Sequence, residues 1–255
     1  MSTETIRLSF PLPQVARIEF ARPERANSLR PQELEALHHA LDLAEARPQV
    51  HALVVTGAGR YFSAGFDLSS LLERARGGAS ADALQADFER IANRLESTRL
   101  VTLAALNGPV IGGATDLALA CDLRIGSART AMTMPAARFG LPLYASALRR
   151  FATRLGLTQA KWLVLTATTL DADAMLVAGF VTEVVAAESF ESRVHALTEQ
   201  LAAMPGEALS AMKTVLNATQ SGWRDEDAQR AHRLLVDAVD GEVIAGRVAY
   251  AMAQR

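Results

Sequence analysis

Two strand-like runs, each breaking into a glycine-bearing turn and then opening a helix, constrain this chain more than any other feature. They are Val54–Leu68 (VVTGAGRYFSAGFDL) and Arg99–Ser127 (RLVTLAALNGPVIGGATDLALACDLRIGS). A repeating order of strand, turn, helix and strand implies an α/β spiral or layered core. Each turn also offers a backbone N–H that can point at one ligand oxygen. Two such donors, about fifty residues apart in the chain, are the requirement of an oxyanion hole.

The flanking sequence supports the same class. Thr5–Phe10 and Gln14–Phe20 read as two short strands joined at Pro11-Leu12-Pro13, and Ala21–Asn27 as a polar loop. Pro31 suits the first turn of a helix in which Leu34, Leu37, His38 and Leu41 share a face. His51–Thr56 is a brief β-branched run ended by Gly57-Ala58-Gly59. A helix starts near Asp67, and Arg76–Ser80 (RGGAS) reads as a surface loop. Ala81–Glu96 is amphipathic, with Leu84, Phe88, Ile91 and Leu95 at helical spacing. Leu100–Ala105 is expected as a strand, Gly112–Ala120 as a helix and Asp122–Ile125 as a strand. Beyond about Leu155 helices dominate: Leu157–Thr166, Ala172–Ala178, Ser189–Met204, Gly206–Asn217 and Asp225–Met252, with Val181–Val185 strand-like. The expected division is a core over 1–190 and a helical region over 191–255 for packing and oligomerisation.

Composition excludes several functions. With 255 residues, half of them hydrophobic, and a net charge of −2, the chain has no electrostatic case for nucleic acid or an acidic membrane surface. Arg149, Arg150 and Arg154 are too small a cluster for a nucleic-acid footprint. A single cysteine, Cys121, rules out an intrachain disulfide and suits a reducing, cytoplasmic setting. No secretory signal is visible, and Asp116, Asp122 and Arg124 interrupt the best apolar run, so no membrane span is expected. His38, His39, His51, His195 and His232 lack the spacing of a metal site. Ser63 lacks a nucleophile elbow. Thr56-Gly57-Ala58-Gly59 lacks the rest of a phosphate loop. Cys121 reads as a buried small hydrophobe.

The second turn carries the sharper chemistry. Gly112-Gly113 precede good helix formers, so they sit at a helix N-terminus, where the first N–H groups lack intrahelical partners and the dipole favours negative charge. Asp116 lies three residues past Gly113, on the same side of the first turn. The competing structural reading is that the glycines allow close helix packing and Asp116 complements the dipole.

The order of motifs along the chain resembles the crotonase superfamily, the enoyl-CoA hydratase/isomerase family. The residues that carry the resemblance are Arg22–Leu29 (RPERANSL), Thr56–Leu68 (TGAGRYFSAGFDL), Asn107–Gly113 (NGPVIGG), Leu117–Ile125 (LALACDLRI) and Glu242–Arg247 (EVIAGR). The resemblance implies a spiral of ββα units with a C-terminal helical layer, assembled as a homotrimer or a dimer of trimers. It implies an acyl-CoA thioester substrate and no separate cofactor, CoA being part of the substrate. It places the two thioester-oxygen donors at the Phe66 and Gly113 N–H groups, and CoA contact at Arg25, Ala26, Ala64, Asp67 and Leu68.

The match to a hydratase then breaks. Family hydratases carry two glutamates, one three residues past the oxyanion glycine and a second after a proline about twenty residues later. Here those positions hold Asp116 and Ala136. Other members place an acid eight residues further on, where this chain has Tyr144, a poor base at neutral pH. The leading expectation is an enoyl-CoA hydratase or double-bond isomerase using Asp116, with Tyr144 as a second candidate group. The alternatives are another crotonase-type enzyme (thioester hydrolase, ring-modifying enzyme or C–C lyase) and an acyl-CoA-binding protein with weak catalysis.

Overall fold

The computed structural model describes residues 5–78 and 81–219, with Arg233 beyond them. An antiparallel hairpin, β1 (Ile6–Leu12) and β2 (Val15–Phe20), opens the chain. There follow α1 (Pro31–Glu45), β3 (Ala52–Gly57), α2 (Leu68–Arg76), α3 (Ala81–Ser97), β4 (Val101–Leu106), β5 (Val110–Ile111), α4 (Gly113–Ala120) and β6 (Leu123–Ser127). The remainder comprises β7 (Ala131–Thr133), α5 (Ala145–Leu155), α6 (Leu157–Thr166), β8 (Thr169–Asp171), α7 (Ala172–Val177), β9 (Glu183–Val185), α8 (Phe190–Ala202) and α9 (Gly206–Ala218). Single turns of 3-10 helix lie at Pro23–Arg25 and Ala136–Phe139.

The main sheet runs β1-β2-β3-β4-β6-β9, parallel throughout except at the β1 hairpin. Every residue of β3 and β4 is buried, because helices cover both faces, as parallel sheets require. Leu53, Val55, Ala104 and Leu106 face a core shared with Leu34, Leu37 and Leu41 of α1, Ile91 and Leu95 of α3, and Leu117 of α4. Val54, Leu103, Ala105 and Ile125 face Phe190, Val194 and Leu201 of α8. Alternation along each strand thus divides the chain between two cores. β5, β7 and β8 form a small second sheet beside α4.

The expected strands and helices recur within a few residues of their bounds, with two kinds of difference. The strands β5, β7 and β8 have two or three residues each, too few to express a period. The helix α5 was not expected at all. In sequence its arginines are only a small basic cluster, yet Arg150 is fully buried beside Ala147 and Phe151. The helix expected over Asp225–Met252 and the motif at Glu242–Arg247 lie outside the described residues.

Candidate active site

The two turns lie against each other. Phe62 N donates to Pro109 O at 3.1 Å and Ile111 N to Ser63 O at 2.9 Å, so Ser63–Phe66 runs alongside Val110–Gly113. Gly65 sits at the closest approach with φ +78°, and a Cβ there would fall 2.5 Å from Ile111 O and 2.8 Å from Gly113 N. Only glycine fits that position.

The Phe66 peptide is aimed by its neighbours. Leu29 N donates to Gly65 O at 2.8 Å and Asp67 N donates to Leu29 O at 3.0 Å. In an extended segment alternate groups face opposite ways, so the intervening Phe66 N–H turns away from Leu29. On the other turn, Gly112 N is fixed to Thr133 O at 2.9 Å, with Gly112 at φ 59° and ψ −134°. Gly113 then becomes the first residue of α4, where an N–H has no intrahelical acceptor. Among the described residues no protein group accepts from the Phe66 or Gly113 N–H.

The loop before the first turn is held by Asn27. Its Nδ2 donates to Ala58 O at 2.9 Å and Tyr61 O at 2.8 Å, while its Oδ1 accepts from Arg22 N at 2.9 Å. These bonds hold Ala26 and Asn27 at φ 49° and 53°, a left-handed conformation non-glycine residues rarely adopt. Arg22 also bridges to Ser28 O at 2.8 Å and to the buried Glu33 at 3.4 Å.

A cavity of about 470 Å³ opens against both turns. Arg25, Ala64, Phe66, Asp67, Leu68, Gly113 and Tyr144, all singled out in the sequence, line it. Ala136 lines it too, together with Gln85, Phe88, Met134 and Leu143. Ala26 stands behind Ala64, its carbonyl accepting from Ala64 N at 2.8 Å. Arg25 and Leu68 are exposed, which places a cation and an apolar side chain toward solvent. The Asp67 carboxylate is engaged in structure: Ser69 N and Ser70 N donate to Oδ1 at 3.2 Å each and Ser28 Oγ donates to Oδ2 at 3.0 Å. Burial works against its charge, but these donors and Arg22 hold the carboxyl below its ordinary range.

Asp116 is placed differently. It is 1% exposed and stands behind Tyr144, outside the cavity lining. Arg150 grips it from α5, with Nε 2.8 Å from Oδ1 and Nη2 2.7 Å from Oδ2, and the Tyr144 hydroxyl donates to Oδ2 at 2.5 Å. Burial opposes the Arg150 charge, but Asp116 and then Glu96 outweigh it and hold the guanidinium above its usual range. Burial, with the adjoining carboxylate, pushes the Tyr144 phenol well above its ordinary value. Sequence reasoning missed Arg150, whose one visible signal was a charge between the apolar Ala147 and Phe151.

The residues declined in the sequence have structural occupations. Ser63 Oγ donates to Asn27 O at 2.7 Å and accepts from Gly65 N at 3.0 Å. The Cys121 thiol is buried, and burial pushes it up to about 12. Among the described residues no cluster of three or more His, Cys, Asp or Glu side chains is arranged to hold a metal. Nor is any helix there long and apolar enough to cross a membrane.

Two main-chain N–H groups without a protein acceptor beside a strand-to-helix turn, on a parallel sheet with helices on both faces, form an arrangement able to polarise a carbonyl. The sequence pattern of the enoyl-CoA hydratase/isomerase family matches residues 13–252; the chain belongs to that family and has the crotonase fold. It is 30% identical over 230 residues to a protein described as a probable enoyl-CoA hydratase of Mycobacterium leprae (strain TN), covering 88% of this chain and 86% of that one. It is 35% identical over 198 residues to a 4-chlorobenzoyl coenzyme A dehalogenase of an Arthrobacter species, covering 75% and 70%. Among solved structures, AtuE of Pseudomonas aeruginosa superposes with a TM-score of 0.88 at 30% identity, covering 97% of this chain and 96% of that one.

Proposed function

We propose that this protein acts on an acyl-CoA thioester by stabilising its enolate, in a hydratase-type reaction. The observation that carries the reading is the pair of unclaimed N–H groups, Phe66 and Gly113, side by side on one cavity. A thioester oxygen seated between them gains hydrogen bonds that strengthen as negative charge develops, each donor contributing roughly 10²–10³ in rate. Arg25 and Leu68 would meet the CoA portion, the guanidinium suiting its phosphates.

Proton transfer falls to Tyr144 with Asp116 behind it. Water adding to the β-carbon of an enoyl thioester passes a proton to the Tyr144 oxygen while the Tyr144 proton moves to Asp116. The enolate then takes a proton at its α-carbon from the same pair, which closes the cycle. Ala136 supplies no second carboxylate. Arg150 occupies both oxygens of Asp116 with its own donors. That grip favours a second reading, an acyl-CoA-binding protein with feeble turnover.

Mass spectrometry of crotonyl-CoA incubated with the protein in D₂O separates these. A hydrated product carrying deuterium at the α-carbon is expected, with Asp116→Asn lowering its rate at least about 10²-fold. Binding without product or exchange favours the second reading. Release of free CoA points to thioester hydrolysis. Absence of binding overturns the acyl-CoA assignment itself.

A further inference from the structure

Arg150 has five N–H bonds, and each has an acceptor. Beyond the two on Asp116, Nη1 donates to Asn93 Oδ1 at 2.8 Å and Glu96 Oε2 at 3.1 Å, and Nη2 reaches Ser146 Oγ at 3.4 Å. The guanidinium is fully buried and tied to three helices, α3, α4 and α5. Its planar fork meets the Asp116 carboxylate with two parallel bonds, a geometry that holds that group as an acceptor. A tyrosine hydroxyl has one proton, and Tyr144 has committed that proton to Asp116 Oδ2. What remains on the oxygen is lone pairs. Any ligand group that reaches it must bring its own hydrogen.

We infer that Arg150, acting through Asp116, sets the hydrogen-bond polarity of the acyl pocket, so that Tyr144 meets the ligand as an acceptor and selects acyl groups bearing a hydroxyl over similar groups that can only accept. Arg150 is in this sense a positioning residue, and Tyr144 a specificity-determining one. Ala136, Phe88, Met134 and Leu143 line the same cavity, and Gln85 is among its polar side chains. The inference rests on the acyl-thioester reading of the cavity and adds to it the chemistry of the acyl group.

Calorimetric titration with butyryl-CoA, 3-hydroxybutyryl-CoA and 3-methoxybutyryl-CoA tests it. The wild-type protein should bind the hydroxyl thioester about five- to tenfold more tightly than the other two, the scale of one hydrogen bond. Tyr144→Phe should erase that gap while holding butyryl-CoA within about twofold, a split that loss of packing alone would not produce. Arg150→Met frees the proton between Asp116 and Tyr144 and should bring the methoxy thioester toward the hydroxyl one. Equal affinity of the wild type for the hydroxyl and methoxy thioesters overturns the inference, as does a gap that survives in Tyr144→Phe. If none of the three binds, the acyl-CoA reading has failed instead.

Discussion

The two halves of this site are built from different materials. One half is main chain: Phe66 and Gly113 present N–H groups whose directions come from neighbouring peptide bonds and from glycines at φ +78° and +59°. The other half is side chain: Asp116 comes from α4, Tyr144 from the N-cap of α5 and Arg150 from within α5, and they meet through hydrogen bonds of 2.5–2.8 Å. The main-chain half is insensitive to side-chain identity and intolerant of any Cβ at the closest approach. The side-chain half has the opposite character. A single substitution there removes a charge or a hydrogen-bond partner from the other two.

The sharpest way to break this contrast is to crowd the main-chain half. Gly65→Ala puts a methyl 2.8 Å from Gly113 N and 2.5 Å from Ile111 O, which are backbone atoms with little room to yield. Turnover of whichever CoA thioester the wild type processes should fall by roughly 10²–10³-fold, the scale of losing an oxyanion donor. Gly78→Ala is the control, since Gly78 has a similar φ of +80° but nothing within 4 Å. It should cost about 1–2 kcal/mol of stability and leave the rate unchanged. Equal losses in both variants would mean that backbone strain, not donor placement, governs the site.

How much of each half was legible in the sequence follows from the same contrast. Turns announce themselves locally: Ala64-Gly65-Phe66-Asp67 and Gly112-Gly113 stand beside the strands and helices that aim them, and β3, β4 and α4 fall within a residue or two of expectation. The side-chain half depends on contacts across tens of residues. Arg150 reaches Asp116 thirty-four positions away and Asn93 fifty-seven positions away, and nothing near it in sequence announces either partner. Its flanking arginines disguised it further. Arg149 and Arg154 pair with Glu96 nearer the surface, so this small basic cluster contains one fully buried member. Asp116 was legible as a position, but its partners were not. Without them a paired carboxylate looks the same as a free one.

The side-chain half should fail by a different route. Arg150→Met leaves Asp116 and Glu96 buried with fewer partners, and the unfolding free energy should drop by about 3–5 kcal/mol. Adding Asp116→Leu removes the stranded carboxylate and should recover a large part of that loss. Urea-denaturation midpoints for the two single variants and the double variant measure the coupling. Arg149→Met, on a side chain one-third exposed, should cost under about 1 kcal/mol. A loss at Arg150 no larger than at Arg149 would show that the buried ion pair does not organise this wall.

A smaller effect reaches the main-chain half through pH. Glu33 is fully buried at the start of α1, where Arg30 Nε and Nη2 donate to it at 2.8 and 2.6 Å and Arg22 stands 3.4 Å away. Burial alone would raise its carboxyl, but the Arg30 bonds together with Gln32 and the Arg22 charge outweigh burial and hold it at about 2 against an ordinary 4.5. A depressed carboxyl contributes stability that is complete above 4.5, where the unfolded chain is also ionised, and is lost as pH falls toward 2. The contribution is roughly 3 kcal/mol. Arg22 carries it onward by tying Glu33 to Ser28 and Asp67, the residues flanking the Leu29–Phe66 bridge that aims the Phe66 N–H. Glu33→Gln should therefore lower the urea midpoint at pH 7, and the gap from wild type should close as the pH is taken from 5 to 3. A gap that stays constant with pH would detach Glu33 from this linkage and leave the main-chain half supported by Asn27 and the two glycines alone.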